Sequence, residues 1–138
     1  MGSGERQLRA TQEQNYPLSQ CMSCGCCADA CPQYQKVEVV QKAGESAEAF
    51  EERKLEAYDE AFVGPHAISQ AMLFNNHPTG KALASERMDA MMGPGGIQAC
   101  GNAQNCVAVC PKEIPLTTSI ARAGRAATVH MVKKWFEK

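Results

Sequence analysis

Seven of the eight cysteines in this chain stand in two copies of one spacing, and that pattern restricts the fold more than any other feature of the sequence. The first copy is Cys21, Cys24, Cys27 and Cys31 followed by Pro32, a C-x2-C-x2-C-x3-C-P run; the second is Cys100, Cys106 and Cys110 followed by Pro111. In such runs three thiolates hold one iron-sulfur cluster and the fourth reaches across to another. The second copy is short of one ligand, because Ala103 stands where the spacing requires a cysteine. If each run lends its last cysteine to the other cluster, Cys21, Cys24, Cys27 and Cys110 make a four-thiolate [4Fe-4S] site. Cys31, Cys100 and Cys106 then make a three-thiolate site. A methyl group cannot ligate iron, so the fourth corner of the second cluster either takes an outside ligand or stays empty. The empty corner, hence [3Fe-4S], is the expected cofactor.

Two simpler uses of cysteine compete with this reading. Disulfide frameworks belong to oxidising compartments; no export signal is visible, and nothing in a disulfide calls for proline after the last cysteine of each run. Zinc closes its sites with C-x2-C pairs or histidines, whereas here three ligands crowd into seven residues. Gly25 and Gly101 are placed for close backbone approach to a cluster, although ordinary turn glycines would look the same. Pro32 and Pro111 turn the chain away after the last ligand. Cys26 is out of step with the spacing and reads as a small buried residue outside the site.

Composition adds limits. At 138 residues the chain is long enough for one domain with a real core, and a formal net charge of -1 gives no basic footprint for nucleic acid. No apolar run is long enough to span a membrane and no signal peptide is visible. No nucleophile triad, phosphate-cradling loop or paired-acid arrangement stands out, so no catalytic residue is expected on this chain. Met1 to Gly4 (MGSG) reads as a scar of expression cloning or a natural start. Residues 1–15 form an N-terminal extension and 16–138 the domain.

The remaining sequence reads as helix, with hardly any strand signal. Ala47, Phe50, Lys54, Leu55, Tyr58 and Phe62 recur at helical spacing opposite an acidic face, in a stretch over 37–62 that reads as an insertion. A second helix starts at Pro65 and runs through Leu73, broken by Asn75 to Gly80. A third covers Lys81 to Met92, and the last begins near Pro115 with Ile120, Ala123, Ala127, Met131 and Trp135 as its packing stripe. Met72, Met88, Met91, Met92 and Met131 are most simply core. His66, His77 and His130 show no ligand spacing, and His77 orients its turn. Since the segment from Cys31 to Cys100 must leave and return, the clusters are staples as well as cofactors, and iron removal should cost the fold.

Around the cysteines the sequence resembles the C-terminal domain of the iron-sulfur subunit of succinate dehydrogenase and fumarate reductase. The stretches that carry the resemblance are LSQCMSCGCCADACP (18–32), FVGP (62–65), NHPTG (76–80) and GGIQACGNAQNCVAVCPKEIPLTTSI (95–120). It implies an all-α dicluster ferredoxin fold with two pseudo-symmetric cluster-binding segments. It also implies [4Fe-4S] and [3Fe-4S] assigned as the counting assigns them. The partners it implies are a flavoprotein subunit with a [2Fe-2S] donor, a heme-bearing membrane anchor and quinone. The expected location is cytoplasmic, peripheral on the inner membrane face through those partners. The CGN and PLTTSIA stretches look most like the diheme, menaquinone-linked branch.

Two departures stand beside this. No C-x4-C-x2-C run for a [2Fe-2S] cluster precedes Cys21. Ubiquinone-type relatives carry a histidine and a tryptophan where this chain has Gly101 and Lys36, so those quinone contacts do not carry over. The rival reading is a stand-alone ferredoxin-like carrier or a heterodisulfide-reductase-type subunit; those relatives usually keep the cysteine that Ala103 replaces.

Overall fold

A computed structural model describes residues 6–137 and contains helices and turns, with no strand among the described residues. Among the described residues seven α-helices follow in order: α1 (Arg9–Ser19), α2 (Cys26–Asp29), α3 (Ala47–Glu60), α4 (Pro65–Asn76), α5 (Ala84–Met91), α6 (Asn105–Ala108) and α7 (Leu116–Phe136). Short 3-10 turns at Gly80–Leu83 and Ile97–Ala99 complete the path. The fold is thus all-α, as the absence of alternating apolar patterns predicts.

The frame is the pair α4 and α7, with α1 and α5 packed on α4. Ile68 on α4 and Ala123 on α7 have no exposed surface, and full burial of an isoleucine stabilises by about 1.5–3 kcal/mol. Small side chains on α7 let the helices approach: Ser119 is buried against Ser69 of α4, the two hydroxyls share a hydrogen bond, and Ser119 also donates to the Leu116 carbonyl. A buried hydroxyl without such partners would be costly. Met72, Met88 and Met91 join the core as the helical pattern predicts, while Met131 lies exposed.

Helix ends follow their local chemistry. Pro65 is the first residue of α4, where its missing N–H costs nothing. That helix continues past the expected break to Asn76, and stops because His77, preceding Pro78, is driven to extended backbone (φ -77, ψ 139). His77 does orient the turn, with Nδ1 2.9 Å from the Thr79 hydroxyl. The third helix is shorter than expected, since Gly80–Leu83 adopts a 3-10 turn before α5 begins. Gly95 permits a close crossing: a Cβ there would stand 2.0 Å from the Ala61 carbonyl oxygen, and its own carbonyl accepts from Val63 N–H at 2.9 Å.

Three expectations fail in instructive ways. α3 forms, capped by the Ser46 hydroxyl accepting from Ala49 N–H, but it buries none of its residues. Leu55 and Tyr58 stay more than half exposed, and only Phe62, beyond the helix end, enters the core. An Arg53–Glu45 ion pair at 2.8 Å ties α3 to its leading loop instead. The α7 stripe is buried at Ala123 and Ala127 but runs out into solvent, where Trp135 is 73% exposed and meets Phe136 edge-on at 4.9 Å. The tryptophan is therefore no core packing residue; α7 simply outlasts the helices beside it. Lys134 and His130 near that end both reach Asp89 of α5, at 2.5 and 2.8 Å.

α1 crosses the point between residues 15 and 16 at which the sequence reading divides extension from domain. Within it Asn15 and Leu18 are buried, and Asn76 Nδ2 donates to Asn15 Oδ1 at 3.2 Å. Met1 to Gly4 lie outside the described residues.

Candidate metal centre

The two cysteine segments fold as copies of each other. In the first, α2 follows Gly25; in the second, α6 follows Gln104 at the same distance from its run's cysteines. Ser23 and Asn102 share positive φ (54 and 52), as do Gly25 and Gln104 (81 and 62). After each short helix the chain turns on matching bonds, Tyr34 N–H to the Cys31 carbonyl at 3.1 Å and Glu113 N–H to the Cys110 carbonyl at 3.0 Å. Asn105 Nδ2 donates to the Ala30 carbonyl at 3.1 Å and joins the two copies. Left-handed residues in a tight loop direct successive N–H groups to one side, a backbone suited to an anionic sulfur cage.

Two cavities lie between the copies. One is lined by Cys21, Cys24, Cys27 and Cys110; the other by Cys31, Cys100 and Cys106. Ala103 sits in the wall of the second. The last cysteine of each run thus faces the cavity of the other run. Cys26 lines neither. All eight cysteines are free thiols. Among the described residues no three His, Cys, Asp or Glu side chains converge on a point that could hold a single metal ion. The thiols surround volumes, a donor set suited to a polynuclear cluster with iron atoms spread across its corners.

Hydrophobic packing holds these walls. Leu18, Ile114 and Leu116 pack with Cys27 and Cys106, and Cys21 and Cys110 lie against that cluster. Phe62, Ile68 and Met91 form a second cluster against which Cys31 and Cys100 pack. Ile120 of α7 touches both.

Electrostatics links thiols within each cavity and, through Cys27 and Cys106, across the two. Burial pushes the Cys27 thiol above its ordinary range, opposed by the backbone N–H of His66, with Cys21 adding to the rise. Burial likewise raises Cys106, and there the neighbours are Cys31 and Cys100. Thiolates that burial disfavours become favourable beside iron, which couples cluster binding to proton release. Cys24 is lowered by the Cys26 backbone N–H and then by the Cys26 thiol, while the hydrogen bond to Cys24 raises Cys26. Cys26 is exposed rather than buried as expected, and it supports its neighbour.

Gly25 and Gly101 line the first and the second cavity respectively, and Gly101 has a neighbour that the sequence did not reveal. A Cβ there would lie 2.8 Å from Gln33 Nε2, so the glycine makes room for a side chain of the first copy. His66 stands 39 residues from Cys27 in the sequence and shows no ligand spacing. It lines the four-cysteine cavity, and its Nδ1 is buried with no hydrogen-bond partner. Nothing in its spacing could have signalled this, because α4 brings it there from another part of the chain.

Comparison with known proteins agrees with this architecture. The chain is 40% identical over 136 residues to the succinate dehydrogenase iron-sulfur subunit of Bacillus subtilis, covering 99% of this chain and 45% of that protein. It is 29% identical over 120 residues to the fumarate reductase iron-sulfur subunit of Haemophilus influenzae, covering 86% of this chain and 37% of that one. The chain therefore spans less than half the length of these curated relatives. The 4Fe-4S dicluster domain matches residues 17–114, the span that includes both cysteine copies and the helices between them. With its paired loops exchanging their last cysteines, the chain belongs to the 4Fe-4S dicluster domain family.

Proposed function

We propose that this chain is an electron-transfer module of a succinate:quinone oxidoreductase. Cys21, Cys24, Cys27 and Cys110 would hold [4Fe-4S], and Cys31, Cys100 and Cys106 would hold [3Fe-4S]. The observation that carries this reading is the sorting of seven cysteines into two cavities, four and three, with the Ala103 methyl in the wall of the second. When bound, the clusters supply one-electron storage at potentials set by their surroundings. The protein supplies the rest: two thiol cages of different denticity, apolar residues packed against their walls, and left-handed loops whose backbone suits an anionic cluster.

The names of the two relatives place such subunits in succinate dehydrogenase and fumarate reductase. On that basis the donor side is a flavoprotein with a [2Fe-2S] centre. The acceptor side is a heme-bearing membrane anchor with quinone, and the chain sits peripherally on the inner membrane face. No helix among the described residues is long and apolar enough to cross a membrane, so attachment would come through partners.

Anaerobic reconstitution followed by iron and sulfide analysis tests the cofactors. Seven irons per chain, an EPR signal of oxidised [3Fe-4S] before reduction and a [4Fe-4S] signal after it are expected. Bound zinc without sulfide would sink the reading. Purification from the source cell tests the setting: recovery with a flavoprotein and a heme-bearing anchor supports the respiratory complex, whereas recovery alone supports the free-carrier alternative.

A further inference from the structure

Three histidines occur in the chain, and two have evident side-chain partners: His77 bonds Thr79, and His130 bonds Asp89. His66 has none among the described residues. It occupies the first turn of α4, it belongs to the wall of the cavity formed by Cys21, Cys24, Cys27 and Cys110, and its Nδ1 is buried and unsatisfied. A buried polar nitrogen is normally paired, and one that is not signals a partner missing from the protein itself. No side chain of the cavity wall is hydrogen-bonded to His66 Nδ1. The backbone N–H of the same residue already donates toward the Cys27 sulfur.

We propose that the His66 imidazole donates a hydrogen bond to the [4Fe-4S] cluster, to a sulfide or a ligating thiolate sulfur, and so raises that cluster's reduction potential. This rests on reading the four-cysteine cavity as a [4Fe-4S] site. A donor stabilises the more negative reduced cluster more than the oxidised one, so the potential rises. The neutral ring suffices, because one of its nitrogens always carries a proton. The backbone N–H of His66 and the positive end of α4 act in the same direction. The three-cysteine cavity has no histidine in its wall, so the effect is confined to one cluster. His66 thereby adjusts the potential step between the two centres without serving as a ligand.

The test uses the full chain with both clusters reconstituted and histidine labelled with 15N in the ring only. Pulsed EPR of the reduced [4Fe-4S] cluster should show coupling to a ring nitrogen and to an exchangeable proton. In His66→Leu both couplings should vanish and the [4Fe-4S] midpoint potential should fall, while the [3Fe-4S] midpoint stays. His66→Asn, which keeps a donor near the Nδ1 position, should recover most of the shift. Absence of ring-nitrogen coupling in the unsubstituted protein overturns the proposal without reliance on any variant. An unmoved [4Fe-4S] midpoint in His66→Leu, or equal shifts of both clusters, overturns it too. If no [4Fe-4S] signal forms at all, the cofactor reading fails and the His66 role falls with it.

Discussion

Gly25 and Gln104 occupy the same point of the two cysteine loops in the same left-handed backbone region, at φ 81 and φ 62. Each precedes the short helix that carries the third position of its run, Cys27 or Cys106. Glycine holds this conformation freely; a side chain makes it cost about 1–2 kcal/mol.

The two loops should therefore respond oppositely to substitution. Gly25→Ala should destabilise the cluster-bearing protein by about 1–2 kcal/mol, although no neighbour lies within 4 Å of the added methyl. Gln104→Gly should be neutral or stabilising by up to about 1 kcal/mol. Denaturant titration followed by cluster absorbance reads both. Equal losses in both variants would mean that the loops are not conformationally equivalent.

Cys26 and Cys110 separate spacing from cavity. Cys26→Ser should keep both EPR signals, since serine can still donate to the Cys24 sulfur. Cys110→Ser should disturb the [4Fe-4S] signal specifically, although residue 110 belongs to the other run, because its side chain lines the first cavity. Equal loss from both would overturn the ligand sets.

Ala103 is the counterpart of Cys24, and both lie in exposed loop at a cavity wall. Ala103→Cys should convert the [3Fe-4S] cluster to [4Fe-4S] and lower its midpoint potential, because an added thiolate makes the site more negative. Redox-titrated EPR decides. An unchanged [3Fe-4S] signal would show that loop geometry, rather than the missing ligand, excludes a fourth iron.

Because α3 lacks a buried face, its order should depend on the Glu45–Arg53 clasp. The Arg53 guanidinium, helped by the Lys42 backbone N–H, holds the Glu45 carboxyl down from 4.5 to about 2. A lowered folded-state value means that the stabilisation is present above pH 4.5 and lost as pH falls toward 2. A helix of 14 residues is marginal alone in water. Amide protection across α3 should thus hold from neutral pH down to about 4.5 and decline below it. In Glu45→Gln it should already be low at neutral pH, with both cluster signals intact. Unchanged protection in that variant would mean that something else orders α3.

Much of the centre was legible in the chain itself because cysteine spacing is a local property. Ligation geometry demands thiols at short fixed intervals, so the runs, the turn prolines and the gap at Ala103 could be read directly, as could the helical periods and the Gly64-Pro65 helix start. Which cysteines share a cavity was reachable only by assuming that the runs exchange their last members. Other features belong to tertiary structure alone. His66 reaches the four-cysteine cavity because α4 packs against α2, and Gln33 of the first copy lies beside Gly101 of the second. Periodicity marks which residues of α3 and α7 share a face, but it carries no information about whether another helix covers that face. On α7 the cover ends beyond Ala127, and on α3 none of the helix's residues is buried. Burial depends on contacts between residues distant in sequence, and those are settled only when the whole chain has packed.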